Sequence, residues 1–181
     1  MTEFKAFPKI ARLNRDIIIT EKIDGTNAQI FIDDDGNIHA GSRNRWLTIE
    51  NDNFGFARWV HDNKEELLLL GPGRHFGEWW GGKIQRGYGL KEKRFSLFNV
   101  HKWNEDTLPP CCFVVPTIFK GMFDMVAIQA ALNILKEGGS LAAPGFMDPE
   151  GIVIFHTHSS SLFKITCKND EKHKGEICGL N

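Results

Sequence analysis

The sequence has no apolar run approaching the ~20 residues that cross a bilayer. Its opening, Met-Thr-Glu-Phe-Lys-Ala-Phe-Pro, has no signal-peptide core either, so a cytoplasmic, membrane-free protein is expected. Net charge is also missing. The 181 residues carry 22 Lys+Arg against 23 Asp+Glu, a formal −1 that excludes a histone-like polycation and a disordered acidic tail. No Cys-x-x-Cys pair occurs among the four cysteines, which removes the usual zinc and redox spacings. Cys111 and Cys112 are vicinal and Cys167 and Cys178 stand alone, as expected of reduced thiols. His156 and His158 would share a strand face and His173 lies near Cys178, but no metal site is expected from them. Repeats, low-complexity tracts and long Pro/Gly/Ser linkers are absent, so residues 1–181 read as one domain.

What is present is a strand-rich pattern. Asp16–Thr20 is a β-branched run, Asn27–Ile32 alternates polar and apolar, Asp33–Asn37 is a turn, and Ile38–Ser42 returns as the second arm of a hairpin. Residues 53–70 place Phe56, Trp59, Val60 and Leu67 at helical spacing, closed by Gly71-Pro72-Gly73. Strands are expected at Arg74–Trp80, Phe95–Val100 and Cys112–Ile118. A second helix is expected over Asp124–Glu137, with Met125, Ile128, Leu132 and Leu135 inward. Ile152–Phe155 and Ser161–Cys167 read as a last hairpin. The fold class is therefore α+β, with antiparallel sheets and flanking helices. Six basic residues against Glu92 between Lys83 and Lys102, and four lysines between Lys164 and Lys174, would suit a polyanion-binding face.

The chemistry concentrates in Thr20-Glu-Lys-Ile-Asp-Gly-Thr-Asn27, where a lysine leaves an apolar strand and enters an Asp-Gly turn. Partial burial and neighbouring cations would make that amine a nucleophile. Polar residues then recur where a core strand wants apolar ones. Glu78 sits in Phe76-Gly-Glu-Trp-Trp80, Glu150 precedes Gly151 and an apolar run, and Lys164 interrupts Leu162-Phe-Lys-Ile165. Period two would put Lys164, Thr166 and Lys168 on one face. Two carboxylates, several cations and a turn lysine are suited to a nucleotide phosphate and a divalent metal.

The order Lys-x-Asp-Gly, Ser-Arg, Phe-Gly-Glu, Phe-x-x-Phe, Glu-Gly-Ile-Val and a lysine-bearing last strand resembles the covalent nucleotidyltransferases: ATP-dependent DNA and RNA ligases and mRNA capping enzymes. The match runs from Glu21 to about Lys168. The resemblance implies the superfamily's adenylation-domain fold and a role for each matching residue. Lys22 would attack the α-phosphate of ATP and carry AMP. Glu21 would receive the adenine amino group, Arg43 would face ribose or phosphates, and Glu78 would hold the ribose hydroxyl. Phe98, in preference to Phe95, would stack on the base. Glu150 would bind Mg²⁺ or Mn²⁺, and Lys164 would neutralise the α-phosphate.

Asn27, in Gly-Thr-Asn where DNA ligases usually show Gly-x-Arg, is similar to the RNA ligase 2 branch and would join the nucleotide contacts. RNA ends, with DNA as the alternative, are the implied partner. A DNA nick ligase, a guanylyltransferase and a non-catalytic module binding nucleotide or RNA ends are the other readings. Three departures stand out: Asn99 where Asp is common, Thr166 in place of the second lysine of Lys-x-Lys with Lys168 two residues on, and only 13 residues after Lys168. A bare catalytic domain without an OB-fold or accessory domain is expected, with a separate partner supplying the rest.

Overall fold

The computed structural model describes residues 2–171. Two sheets carry the fold. The first has the order β7-β1-β8-β9, from β1 (Asp16–Lys22), β7 (Thr117–Met122), β8 (Gly151–His156) and β9 (Ser161–Thr166). The second has the order β3-β2-β4-β5-β6, from β2 (Thr26–Ile32), β3 (Ile38–Ser42), β4 (Gly73–Gly81), β5 (Lys93–Leu97) and β6 (Phe113–Val114). Pairing is antiparallel throughout except for the short parallel β5–β6 ladder.

The β2–β3 hairpin forms because the apolar positions of Asn27–Ile32 fall on one face. Ala28, Ile30 and Ile32 are buried, and Asp33 closes the turn by accepting from the backbone N–H of Asp35 and Asn37. Under this sheet packs α1 (Phe56–Asp62), whose Phe56, Ala57 and Val60 join Trp79 and Phe95 in one core. The single helix expected over residues 53–70 is broken. Asn63 leaves the helical region at φ −109°, its side chain donates to Trp59 O at 2.8 Å, and α2 (Lys64–Leu67) restarts after it.

The strand expected at Cys112–Ile118 is also two strands, in different sheets. Pro116 has no N–H to donate, so it ends one ladder, while its carbonyl accepts from Glu21 N at 2.9 Å. The helix α3 (Met125–Gly138), capped by Asp124 accepting from Val126 N, covers one face of the first sheet. Ile128, Ala131, Leu132 and Leu135 point inward; Met125 is 64% exposed, because it occupies the first turn, beyond the edge of that core. No helix among the described residues is long and apolar enough to cross a membrane.

Strand alternation sorts the site from the core. On β1, Ile17, Ile19 and Glu21 face α3, and Ile18, Thr20 and Lys22 face the other way. Register places Lys22 beside Gly151 and Thr166, and Thr20 beside Val153 and Lys164. Lys22, Lys164 and Thr166 therefore share one face. On the second sheet Asn27 pairs with Glu78 and Gln29 with Phe76, opposite to the core side. A third cluster (Ile23, Trp80, Tyr88, Val115, Ala143) fastens the two sheets together beside the site.

Candidate functional site

The Lys-x-Asp-Gly turn is held on every side. Lys22 Nζ donates to Glu150 Oε2 at 2.6 Å, with 22% of the lysine side chain exposed against 2% of the glutamate's. Asp24 N donates to Tyr88 Oη at 2.7 Å, and Asp24 Oδ2 accepts from Arg86 Nε at 3.0 Å. Gly25 N donates to Glu78 Oε1 at 3.0 Å, while Glu78 Oε2 accepts from Asn27 Nδ2 at 3.0 Å. Two carboxylates, Glu78 on β4 and Glu150 just before β8, thus meet at the lysine. The charges beside Lys22 are acidic, not the cations expected, so the amine sits against a proton acceptor.

Glycine at position 25 has a steric cause. A Cβ there would lie 2.4 Å from Trp79 O and 2.7 Å from Trp80 Cβ. Backbone cannot yield as a flexible side chain does, so Gly25→Ala is expected to destabilise the protein by about 3 kcal/mol, the upper range of overpacking. Urea denaturation checks this; an unchanged midpoint contradicts it.

Burial raises the Glu78 carboxyl from its ordinary 4.5 to about 7, against the Lys22 charge and the Gly25 and Asn27 hydrogen bonds, which pull it down. A raised folded-state value means that ionising Glu78 opposes folding. That cost is absent below about pH 4.5, grows as pH rises, and is complete above about 7. Glu78→Gln lacks it, so the variant's stability relative to the parent should rise by about 3 kcal/mol from pH 4.5 to 7.5. Denaturation at the two pH values measures the difference, and a flat difference contradicts the assignment.

The other sequence candidates divide. Arg43, exposed after β3, makes no hydrogen bond or ion pair among the described residues. Its neighbour Arg45 instead braces the loop, donating to Asn51 O at 2.8 Å and Asp52 O at 3.2 Å. Phe98 is 42% exposed and its N–H donates to Phe76 O, whereas Phe95 is buried in the core. Lys164 is exposed on the Lys22 face of β9.

Two placements depart from expectation. Glu21 is 1% exposed, and its carboxylate accepts from Ser140 Oγ at 2.6 Å and from Leu141 N and Ala142 N at 2.8 Å. Burial raises its carboxyl, with those bonds opposing. The carboxylate thus anchors the loop after α3, on the side of β1 opposite Lys22. Lys168 does not continue the face of β9, because the strand ends at Thr166; its Nζ donates to Asp148 Oδ1 at 2.7 Å.

Sequence reading missed the residues that clamp the turn. Arg86 falls in the basic run between Lys83 and Lys102, yet its Nη1 donates to Asp148 Oδ2 at 2.6 Å while Nε holds Asp24. The rest of that run is largely engaged as well: Lys93 donates to Phe54 O, Arg94 to Glu92 and Lys102 to Leu70 O. Tyr88 did leave a signal, being the only tyrosine and flanked by Gly87 and Gly89. Its φ of +53° and a hydroxyl raised by burial mark a constrained ring. The histidine pairing also fails. β8 ends at His156, whose Nε2 donates to Leu13 O at 2.8 Å, and His158 lies in the turn. Cys111, Cys112 and Cys167 are free thiols; His173, Cys178, Lys172 and Lys174 lie outside the described residues.

A family model described as RNA ligase matches residues 15–166, a span holding every residue of the turn and both carboxylates. Among solved structures, a Naegleria gruberi RNA ligase variant with ATP and Mn superposes at TM-score 0.64 and 24% identity over 90% of this chain and 53% of that one. Another variant of that ligase, with AMP and Mn, gives 0.61 and 25% over 90% and 53%. These chains share the nucleotidyltransferase fold, and the present chain spans about half their length. A search of curated proteins returns no match. From the motif order, the two-sheet site and the family model together, the chain belongs to the RNA ligase family.

Proposed function

We propose that the chain catalyses ATP-dependent joining of RNA 3′-OH and 5′-phosphate ends through a lysyl-AMP intermediate on Lys22. The observation that carries this reading is the Lys22–Glu150 contact of 2.6 Å inside a family-matched Lys-x-Asp-Gly turn. The amine must lose a proton before it can attack phosphorus, and the 2.6 Å contact supports Glu150 Oε2 as the acceptor. The new N–P bond forms as the bond to pyrophosphate breaks. Lys22 then passes AMP to an RNA 5′-phosphate, and attack by a 3′-OH closes the strand with release of AMP.

The other residues bind and orient. Asn27 and Glu78 form a polar pair opposite the lysine for a ribose hydroxyl, and the half-exposed Phe98 ring provides a stacking surface for a base. Arg43 and Lys164, exposed cations without ion pairs among the described residues, supply charge for the phosphates. Lys168 would reach the nucleotide only by leaving Asp148. A buried carboxylate facing the phosphate path fits a hard divalent cation, and Glu150 would hold Mg²⁺ or Mn²⁺; the ion, when bound, offsets triphosphate charge. The matched ligase variants were solved with ATP or AMP and Mn, which supports that choice.

The reading is tested by incubating the protein with ATP, Mg²⁺ and RNA strands bearing 3′-OH and 5′-phosphate ends, with equivalent DNA strands in parallel. A longer RNA product on a denaturing gel is expected. Sealing of DNA alone, or no sealing with any metal, contradicts it.

A further inference from the structure

We infer that the outer half of the second sheet's site-facing surface is a base-stacking platform for a single-stranded RNA segment. The inference rests on the ligase reading and extends it to the form of the substrate. The side chains of β4 on this face become steadily more exposed moving away from the turn. Trp80 is 1% exposed and Glu78 7%, but Phe76 is 52% exposed, and Arg74 beyond it is exposed. Phe98, whose ring serves the nucleotide base, bounds this surface on the inner side, its N–H donating to Phe76 O.

Beyond them the face holds three more flat rings. Phe31 and His39 are cross-strand partners stacked at 6.0 Å, and Trp46 crosses over Gly41 to within 5.8 Å of His39. A Cβ at Gly41 would meet Trp46 Cε3 at 3.2 Å and Gln29 Cγ at 2.7 Å, so glycine here admits the indole onto the sheet. Arg74 lies over this group, its guanidinium 4.7 Å from the Phe31 centroid and 5.4 Å from Trp46. Gln29 Oε1 accepts from Arg74 Nη1, and among the described residues no carboxylate neutralises the guanidinium.

Half-exposed rings combined with an unneutralised arginine match the chemistry of unpaired nucleobases on a phosphate backbone. An apolar protein segment would be better served by aliphatic side chains and would leave the guanidinium without a partner. In a duplex the bases already stack on one another, which leaves no faces for these rings. Asn27 and Phe31 are four residues apart on β2, about 13 Å, or the rise of about four stacked bases. The platform thus begins at the polar pair opposite Lys22 and ends at the acidic turn of Asp33–Asp35, which would repel phosphate.

The test is fluorescence anisotropy of a short labelled single-stranded RNA with the full chain, without ATP. Trp46→Leu and Arg74→Gln should each weaken binding at least fivefold, as loss of about one stacked base predicts. Trp46→Phe should retain most of the affinity, and the same RNA as a duplex should bind more weakly than the single strand. Unchanged affinity in both variants, equal binding of duplex, or no RNA binding by the unaltered protein overturns the inference. Failure to form lysyl-AMP would instead count against the ligase reading, since strand binding is measured without nucleotide.

Discussion

Lys22→Ala is expected to abolish covalent attachment of AMP to the protein. Incubation with α-labelled ATP and a divalent metal, followed by denaturing electrophoresis, should label the parent and leave the variant blank. No other amine among the described residues is expected to substitute, because the clamp on the turn is specific in position. Asp24 is held from Arg86 and Tyr88, Gly25 from Glu78, and Glu21 from the loop at Ser140, so only position 22 is presented at the junction of the sheets. Lys164, on the same face two strands away, belongs to the edge of the first sheet. Label surviving in Lys22→Ala would place the nucleophile elsewhere.

Glu150→Gln should lower the rate of lysyl-AMP formation at least 100-fold, the lower range for loss of a positioned proton acceptor. The amide is nearly isosteric and its oxygen can still accept from Lys22, so the fold and the contact's geometry are largely kept while the ion pair is lost. Loss of the carboxylate also removes the charge that would hold a metal. These two contributions separate experimentally: if Glu150 acts mainly on the metal, raising Mn²⁺ recovers part of the rate, whereas a proton acceptor's loss is indifferent to metal concentration. A rate within tenfold of the parent in single-turnover measurements would remove Glu150 from the reaction.

Local patterning made much of the fold legible. The β2–β3 hairpin was expected with its turn at Asp33–Asn37, and it is found there because strict alternation leaves one register that buries Ala28, Ile30 and Ile32. The helix at residues 53–70 looked continuous because its apolar spacing continues through a break set by one side chain, Asn63. The run at 112–118 hid a change of sheet, since Val114 and Ile118 look alike in sequence while Pro116 alone marks the crossing.

Site residues show the same limit. Lys22 and Glu78 stand out because a charged group at the end of or inside an apolar strand is conspicuous, Glu150 because it opens an apolar run, and Asn27 only through the motif that resembles the RNA ligase 2 branch. Glu21 takes its expected nucleotide role from its position in a motif, and Lys168 from the period-two face of the last strand. Alternation turns the Glu21 carboxylate toward α3, and β9 ends at Thr166 before that period reaches Lys168. Arg86, Asp148 and Ser140 could not be singled out, since their partners are 62, 62 and 119 residues distant. Only the folded chain brings them to the turn.

The amine of Lys22 is the group proposed to carry AMP. The most direct measurement is peptide mass spectrometry of the protein after reaction with ATP and Mn²⁺, digested under conditions that preserve a phosphoramidate. AMP is expected on the single peptide containing Lys22. AMP on a peptide that lacks Lys22, or unmodified Lys22 in protein that nonetheless seals RNA, would contradict it.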